Sequence, residues 1–179
     1  PCLVGMKQKR IKALLDNEIN LIAYHLPLDQ HPVFGNNVQL AKLLNLQITH
    51  ELQDRFGHYA GLAGKLSQPL SACDFAAIIE KKLHRPPLHI AANQDPIQRI
   101  ALCTGSAAQY IDAAANDRQD AYLSGEISES TVHIARERNI HYFCAGHHAT
   151  ERYGIKALGE HLASKFGLHS EFVDIDNPA

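Results

Sequence analysis

No run among the 179 residues approaches the roughly 18–20 consecutive apolar residues of a membrane-spanning helix, so the sequence offers no candidate span. The opening Pro1-Cys2-Leu3-Val4-Gly5 has neither a basic region nor a long apolar core, and it does not read as a signal peptide. A chain beginning on Pro, with its single methionine at Met6, reads as an internal stretch of a longer protein. A surplus of charge of one sign is also missing. Seventeen Lys and Arg stand against nineteen Asp and Glu, for a net charge of -2, which argues against nucleic acid and against a charged membrane surface as partners. The cysteines at positions 2, 73, 103 and 144 form no CxxC pair, so a zinc or redox motif of that kind is excluded. Cys103 and Cys144 fall in apolar runs and read as buried, reduced thiols, which suits a cytoplasmic location. No G-x-x-x-x-G-K-[ST], G-x-G-x-x-G or G-x-S-x-G pattern occurs, which removes the standard phosphate-cradling loops and the serine-hydrolase elbow.

What is present is an ordinary globular composition, 45% hydrophobic and 20% charged, with twelve histidines. Histidine is the commonest metal ligand and the usual proton shuttle, so the count directs attention to where the histidines sit.

The apolar periodicity alternates between helix and strand. Helices are expected over Lys7–Glu18, Asn37–Leu44, Ala72–Leu83, Ala107–Asn116, Ser128–Arg138 and Glu151–Phe166. Strands are expected over Asn20–Tyr24, Leu88–Ala91, Arg99–Thr104, Ala121–Leu123, Ile140–Ala145 and His169–Ile175. Weak periodicity and the glycines at 57, 61 and 64 make residues 46–70 read as loops with short strands. The alternation predicts an α/β fold with a mostly parallel sheet, whose ligand sites lie beyond the C-terminal ends of the strands.

Polar residues cluster at three such ends. One is His25-Leu26-Pro27-Leu28-Asp29 with His31, another Ser124-Gly125-Glu126, and a third Gly146-His147-His148-Ala149-Thr150-Glu151. His147 and Glu151 follow His25 and Asp29 at a constant interval of 122 residues, an internal echo that fits two related α/β lobes. An imidazole and a carboxylate four residues apart on a helical turn share a face and can chelate a divalent cation of the zinc, manganese, iron or nickel kind. The same spacing also serves to start a surface helix, with Glu151 complementing its dipole. Asp29 can be a turn or cap residue, Gly125-Glu126 a simple βα turn or a support for a ligand, and Asn36-Asn37 after Gly35 a helix N-cap. Thr104-Gly105-Ser106 is small enough to admit a phosphate near a helix N-terminus. The basic run Lys7-Gln8-Lys9-Arg10 reads as a solvated helix face.

The run His25-Leu26-Pro27-Leu28-Asp29 with His31-Pro32 and Gly35-Asn36-Asn37 resembles a signature of the Ngg-one-interacting-factor-three-like family, the GTP cyclohydrolase 1 type 2 homologues. So does the run Gly146 to Arg152 with Gly154-Ile155-Lys156-Ala157-Leu158, and the likeness extends over essentially the whole chain. The resemblance implies two similar α/β lobes with two divalent metal ions between them, assembled as a homohexameric ring acting on a small-molecule substrate. It implies Asp29, His147 and Glu151 as metal ligands, with His25, His31 and His148 as neighbouring catalytic or orienting groups. The family's two adjacent N-terminal histidines have no counterpart here, so the first lobe is expected to be incomplete. On that reading residues 1–48 are its remnant, 49–97 an intervening segment and 98–179 the second lobe. The expected activity is metal-dependent hydrolysis. The GTP opening in the family's name finds no guanine-reading motif in these residues. The alternative is a non-catalytic metal-stabilised scaffold.

Overall fold

A computed structural model describes residues 2–93 and 96–179. Helix α1 (Gly5–Asp16) carries no buried residue. Short helix α2 (Leu26–Asp29) has Pro27 in its first turn, and α3 (Asn36–Leu43) follows. Strands β1 (Gln47–Gln53) and β2 (Tyr59–Leu70) come next, then α4 (Ala72–Leu83) and β3 (Leu88–Ile90). Strand β4 (Ile97–Cys103) is followed by a 3-10 turn at Ala108–Tyr110, α5 (Ile111–Asn116), β5 (Ala121–Ser124), α6 (Glu129–Glu137) and β6 (His141–Cys144). Helices α7 (His147–Glu151) and α8 (Tyr153–Phe166) end the regular structure.

The six strands form one sheet in the order β1-β2-β4-β5-β6-β3. The α/β architecture agrees with the sequence pattern, but the expectation of a mostly parallel sheet does not hold. Only β4, β5 and β6 run parallel, while β1, β2 and β3 pair antiparallel with their neighbours. The reason lies in the connections. Helical crossovers of the β4-α5-β5-α6-β6 type return the chain in the same direction, whereas the short turn between β1 and β2 can only make a hairpin. That turn is organised by Asp54, whose carboxylate accepts the N–H of Phe56 (2.8 Å) and of His58 (2.9 Å).

The hairpin also corrects the reading of 46–70 as loops with short strands, since β1 and β2 fill most of it. Gly61, a feature that suggested a loop, lies inside β2, where a Cβ would stand 2.2 Å from the Leu102 carbonyl oxygen. It is a glycine of close strand approach. Two expected strands are absent. Residues 20–24 and 169–175 run without regular structure, with Leu21, Ile22, Val173 and Ile175 exposed. An apolar run becomes a strand only where its backbone pairs with a neighbour, and among the described residues neither segment joins the sheet.

The sheet is covered on both faces, and the parallel strands sort their side chains by alternation. Leu102, Leu123 and Phe143 align in register on one face, packing with Ile100 against Leu40 of α3, Leu44 just after it, and Phe75, Ile79 and Leu83 of α4. Ala101, Tyr122 and Tyr142 align on the other, against Ile111 and Ala114 of α5 and Ala135 of α6. The edge of the Phe75 ring meets Phe143 at 5.2 Å. Cys103, Ser124 and Cys144 therefore end the three strands side by side, and the loops that follow rise from one rim. All four cysteines are free; Cys2 and Cys73 are exposed, and the expected burial of Cys103 and Cys144 holds only in part.

Candidate metal-binding cleft

The loops at the strand ends border a cleft of about 590 Å³. His25, Asp29, Tyr59, Cys103, Thr104, His147 and Glu151 line it, and the hairpin residues Asp54 and His58 stand at its side. Asp29 and Glu151 enter from the two short helices, each the last residue of its helix, so the 122-residue echo survives as paired helical turns, although no strand precedes the first.

His147 is held from both sides. Its Nδ1 lies 2.6 Å from Glu126 Oε1 and its Nε2 lies 3.0 Å from Glu151 Oε2. Glu126 is fixed in turn by the Ser106 hydroxyl, which donates to Oε2 at 2.8 Å. The His147 and Ser106 hydrogen bonds hold the Glu126 carboxyl below its ordinary range. Burial works against the His147 imidazolium, yet Glu126 and Glu151 outweigh it and raise its pKa. The Glu151 carboxyl is raised, first by burial and then by the negative charge of Asp29 across the cleft. Gly105 makes room for this arrangement. With φ at +65° it sits in left-handed backbone, and a Cβ there would stand 2.1 Å from Glu151 Oε1 and 3.2 Å from His147 Nε2.

Asn36 and Asn37 do not cap α3; Gly35 occupies the N-cap position. Both are buried and tie the cleft together. Asn36 Nδ2 donates to Asp29 Oδ1 (2.7 Å), while its Oδ1 accepts from the Gly154 N–H (2.8 Å), joining α2 to the start of α8. Asn37 Nδ2 donates to the Tyr59 hydroxyl (3.0 Å), and its Oδ1 accepts from the Thr104 N–H (2.8 Å). Burial pushes the Cys103 thiol up to about 12, with Asp29 and Glu151 adding to the shift, so it stays neutral. The signal for these asparagines was the unusual pair itself, two amides at the start of a helix that needs only one cap.

The expected catalytic histidines separate. His25 lines the cleft. His31 instead accepts the Val33 and Phe34 N–H groups at Nδ1, both at 3.1 Å, and organises the turn before α3. His148 faces the C-terminal segment, with Nε2 at 2.9 Å from Asp174, a residue that also pairs with Arg152 at 2.8 Å. Glu126, left open as turn or support in the sequence, stands in the position of a support for His147.

The donor set at the cleft, two carboxylates and an imidazole, has the chemistry of a transition-metal site. Among the described residues, no three His, Cys, Asp or Glu side chains stand close enough together to hold a metal ion as placed. Glu151 and His147 are spent on each other, and Asp29 on Asn36. Gly105, lacking a side chain, lets Glu151 Oε1 and His147 Nε2 come close to its backbone at the cleft.

A family model described as Duf34/NIF3 (NGG1p interacting factor 3) matches residues 3–178. The chain is 54% identical over 181 residues to a "GTP cyclohydrolase 1 type 2 homolog" of Haemophilus influenzae, covering 100% of this chain and 71% of that protein. It is 52% identical over 179 residues to the protein of the same name from Pseudomonas aeruginosa, again covering 71% of the relative. Among solved structures, that of protein ybgI, described as of unknown function, superposes with a TM-score of 0.94 at 45% identity, covering 100% of this chain and 71% of the other.

Proposed function

Because the chain belongs to the Duf34/NIF3 family, we propose that its strand-end cleft holds divalent metal through Asp29, His147 and Glu151 and uses it in hydrolysis of a small molecule. The observation that carries this reading is the clamped imidazole. Glu126 at Nδ1 fixes the ring and raises the basicity of Nε2, as carboxylate partners do for metal-bound histidines. Nε2 then faces Glu151 in a cleft where Asp29 adds a second negative charge. A cation between these groups would relieve the carboxylate repulsion that now raises Glu151.

A divalent cation supplies Lewis acidity toward a substrate oxygen and acidifies water at neutral pH. The protein's own residues supply the rest. Glu126 and Ser106 keep His147 in one tautomer and orientation, Asn36 aims Asp29, and His25 is the imidazole placed to carry a proton at the cleft. A dinuclear centre, a homohexameric ring and a cytoplasmic location belong to the same proposal. The exposed apolar side chains of 21–24 and 173–175 support assembly with further surface, and the four free thiols support a reducing compartment.

The test is metal content and turnover together. The chain is loaded with manganese, zinc or nickel, and metal is counted by mass spectrometry in the wild type and in Asp29→Ala, His147→Ala and Glu151→Ala. A panel of phosphoesters, nucleotides and cyclic amides is then assayed. Metal lost in all three variants, with turnover lost alongside, is the expected result. Metal retained by a double Asp29→Ala, Glu151→Ala variant refutes the ligand assignment. Stoichiometric metal with no turnover on any substrate refutes hydrolysis in favour of a metal-stabilised scaffold.

A further inference from the structure

Three histidines line the cleft, and they differ in how their ring nitrogens are used. His147 spends both, on Glu126 and on Glu151. His58 spends one. Its Nδ1 stands 3.3 Å from Asp54 Oδ2, and no partner among the described residues takes its Nε2. The side chain is 76% exposed, so packing does not account for the place of the ring at the cleft. Asp54 divides its two oxygens. Oδ1 alone organises the turn, accepting the N–H of Phe56 (2.8 Å) and of His58 (2.9 Å), which leaves Oδ2 for the imidazole. The His58 N–H is the main cause that holds the Asp54 carboxyl below its ordinary range, so it is ionised at neutral pH. An ionised carboxylate only accepts, so in the neutral ring Nδ1 carries the proton and Nε2 keeps its lone pair. The backbone fixes both members of the pair. The Asp54 N–H donates to the His58 carbonyl (2.9 Å) and the Gly57 N–H to the Asp54 carbonyl (3.0 Å).

We propose that Asp54 and His58 form a proton-transfer dyad of the cleft, with His58 as a general base and Asp54 as the residue that positions it. The inference rests on the reading of the cleft as a hydrolytic site. Hydrolysis takes one proton from the attacking water and returns one to the leaving group. The water oxygen forms the new bond to the electrophilic atom and its proton passes to His58 Nε2. The bond to the leaving group breaks, and the leaving group takes a proton. His25 lines the same cleft and is the imidazole that supplies that proton, and exchange with solvent resets both rings. Asp54 holds His58 in the tautomer with Nε2 open and stabilises the imidazolium that forms when Nε2 takes up the proton. The dyad comes from the β1–β2 hairpin, whereas His147 and Glu151 come from the loop beyond β6. The hairpin therefore brings to the cleft a base that the parallel strands do not carry.

The test follows turnover of the manganese-loaded chain on the same panel of phosphoesters, nucleotides and cyclic amides, with metal content and thermal midpoint measured on every sample. In His58→Ala, kcat is expected to fall about 10²–10⁴-fold, and added imidazole should restore part of the loss. Metal content and midpoint should stay at the wild-type values, because the ring is exposed and contacts no proposed metal ligand. Asp54→Asn keeps an oxygen for the two N–H groups of the turn, but its amide donates toward Nδ1 and moves the ring proton to Nε2. It is expected to lower kcat at least about tenfold, with KM and midpoint little altered. Turnover that is lost in Glu151→Ala and kept in His58→Ala overturns the dyad and leaves hydrolysis standing. A loss in His58→Ala that imidazole does not restore and Asp54→Asn does not share gives His58 a structural role only and also overturns the dyad. No turnover by the metal-loaded wild type on any substrate overturns hydrolysis, and the dyad with it.

Discussion

Gly105→Ala separates the cost of backbone strain from the cost of filling the cleft. At φ +65° an alanine is strained by about 1–2 kcal/mol wherever it sits. In a chain of this size that corresponds to a fall in Tm of roughly 3–6 °C. Gly167, which ends α8 at φ +66°, has nothing within 4 Å of its missing Cβ, so Gly167→Ala carries the strain alone. At Gly105 the new methyl lands 2.1 Å from Glu151 Oε1. Glu151 is a flexible side chain and can swing away, so the loss of stability should differ little between the two variants. The displaced carboxylate, however, leaves His147 and, on the proposed reading, the cation. Metal affinity should fall by at least about tenfold in Gly105→Ala and stay at the wild-type value in Gly167→Ala. Competition titration against a chromogenic chelator measures the affinity and thermal unfolding measures the stability. Equal metal affinity in the two variants would refute the placement of the metal beside Gly105.

Three further outcomes follow from the same geometry. In the metal-free chain, both Glu151 and His147 have raised pKa values, so their contribution to stability is present below their unfolded values and is lost as pH rises through the folded ones. Glu151→Gln should therefore raise Tm near pH 7 while abolishing metal binding, and a lowered Tm would contradict the repulsion with Asp29. Asp120 accepts the Gln98 N–H (2.9 Å), the Arg99 N–H (2.7 Å) and the Arg99 guanidinium (2.9 Å). Burial raises its carboxyl pKa, but these Arg99 and Gln98 bonds outweigh it and lower the value below 3.8. That stability is present above the unfolded pKa and lost as pH falls through the folded one, so Asp120→Ala should cost about 2–3 kcal/mol in urea at pH 7 and much less near pH 2. Phe143→Ala empties a fully buried site between Phe75 and His89 and should cost about 3–5 kcal/mol by the same measurement, against under 1 kcal/mol for an exposed truncation such as Leu15→Ala on α1.

Residues with a local physical reason were legible in the chain. Ser71, whose hydroxyl accepts the Asp74 N–H at 3.0 Å, and the apolar stripe of Phe75, Ile79 and Leu83 make α4 readable to the residue. Asp29, His147 and Glu151 line one cleft, and the 122-residue interval drew attention to them because each ends or begins a short helical turn. The asparagine pair was misread, because a buried amide and a helix cap look alike until the residues that it bonds are known. Gly61 misled for a related reason. Glycine marks both loops and close strand contacts, and the carbonyl of Leu102 that decides between them lies 41 residues further along the chain.

The sequence by itself determined the alternation of helix and strand, the covered parallel centre of the sheet, and the rim where polar residues gather. These follow from side-chain periodicity and from the short range of turn and crossover geometry. Tertiary structure alone decided the hairpin direction of β1 and β2, the failure of 20–24 and 169–175 to become strands, and the roles of Asn36, Asn37, Glu126 and Gly105. Each of those depends on what an edge, an amide or an empty Cβ position meets across the fold, and such partners are fixed by packing between segments far apart in the chain.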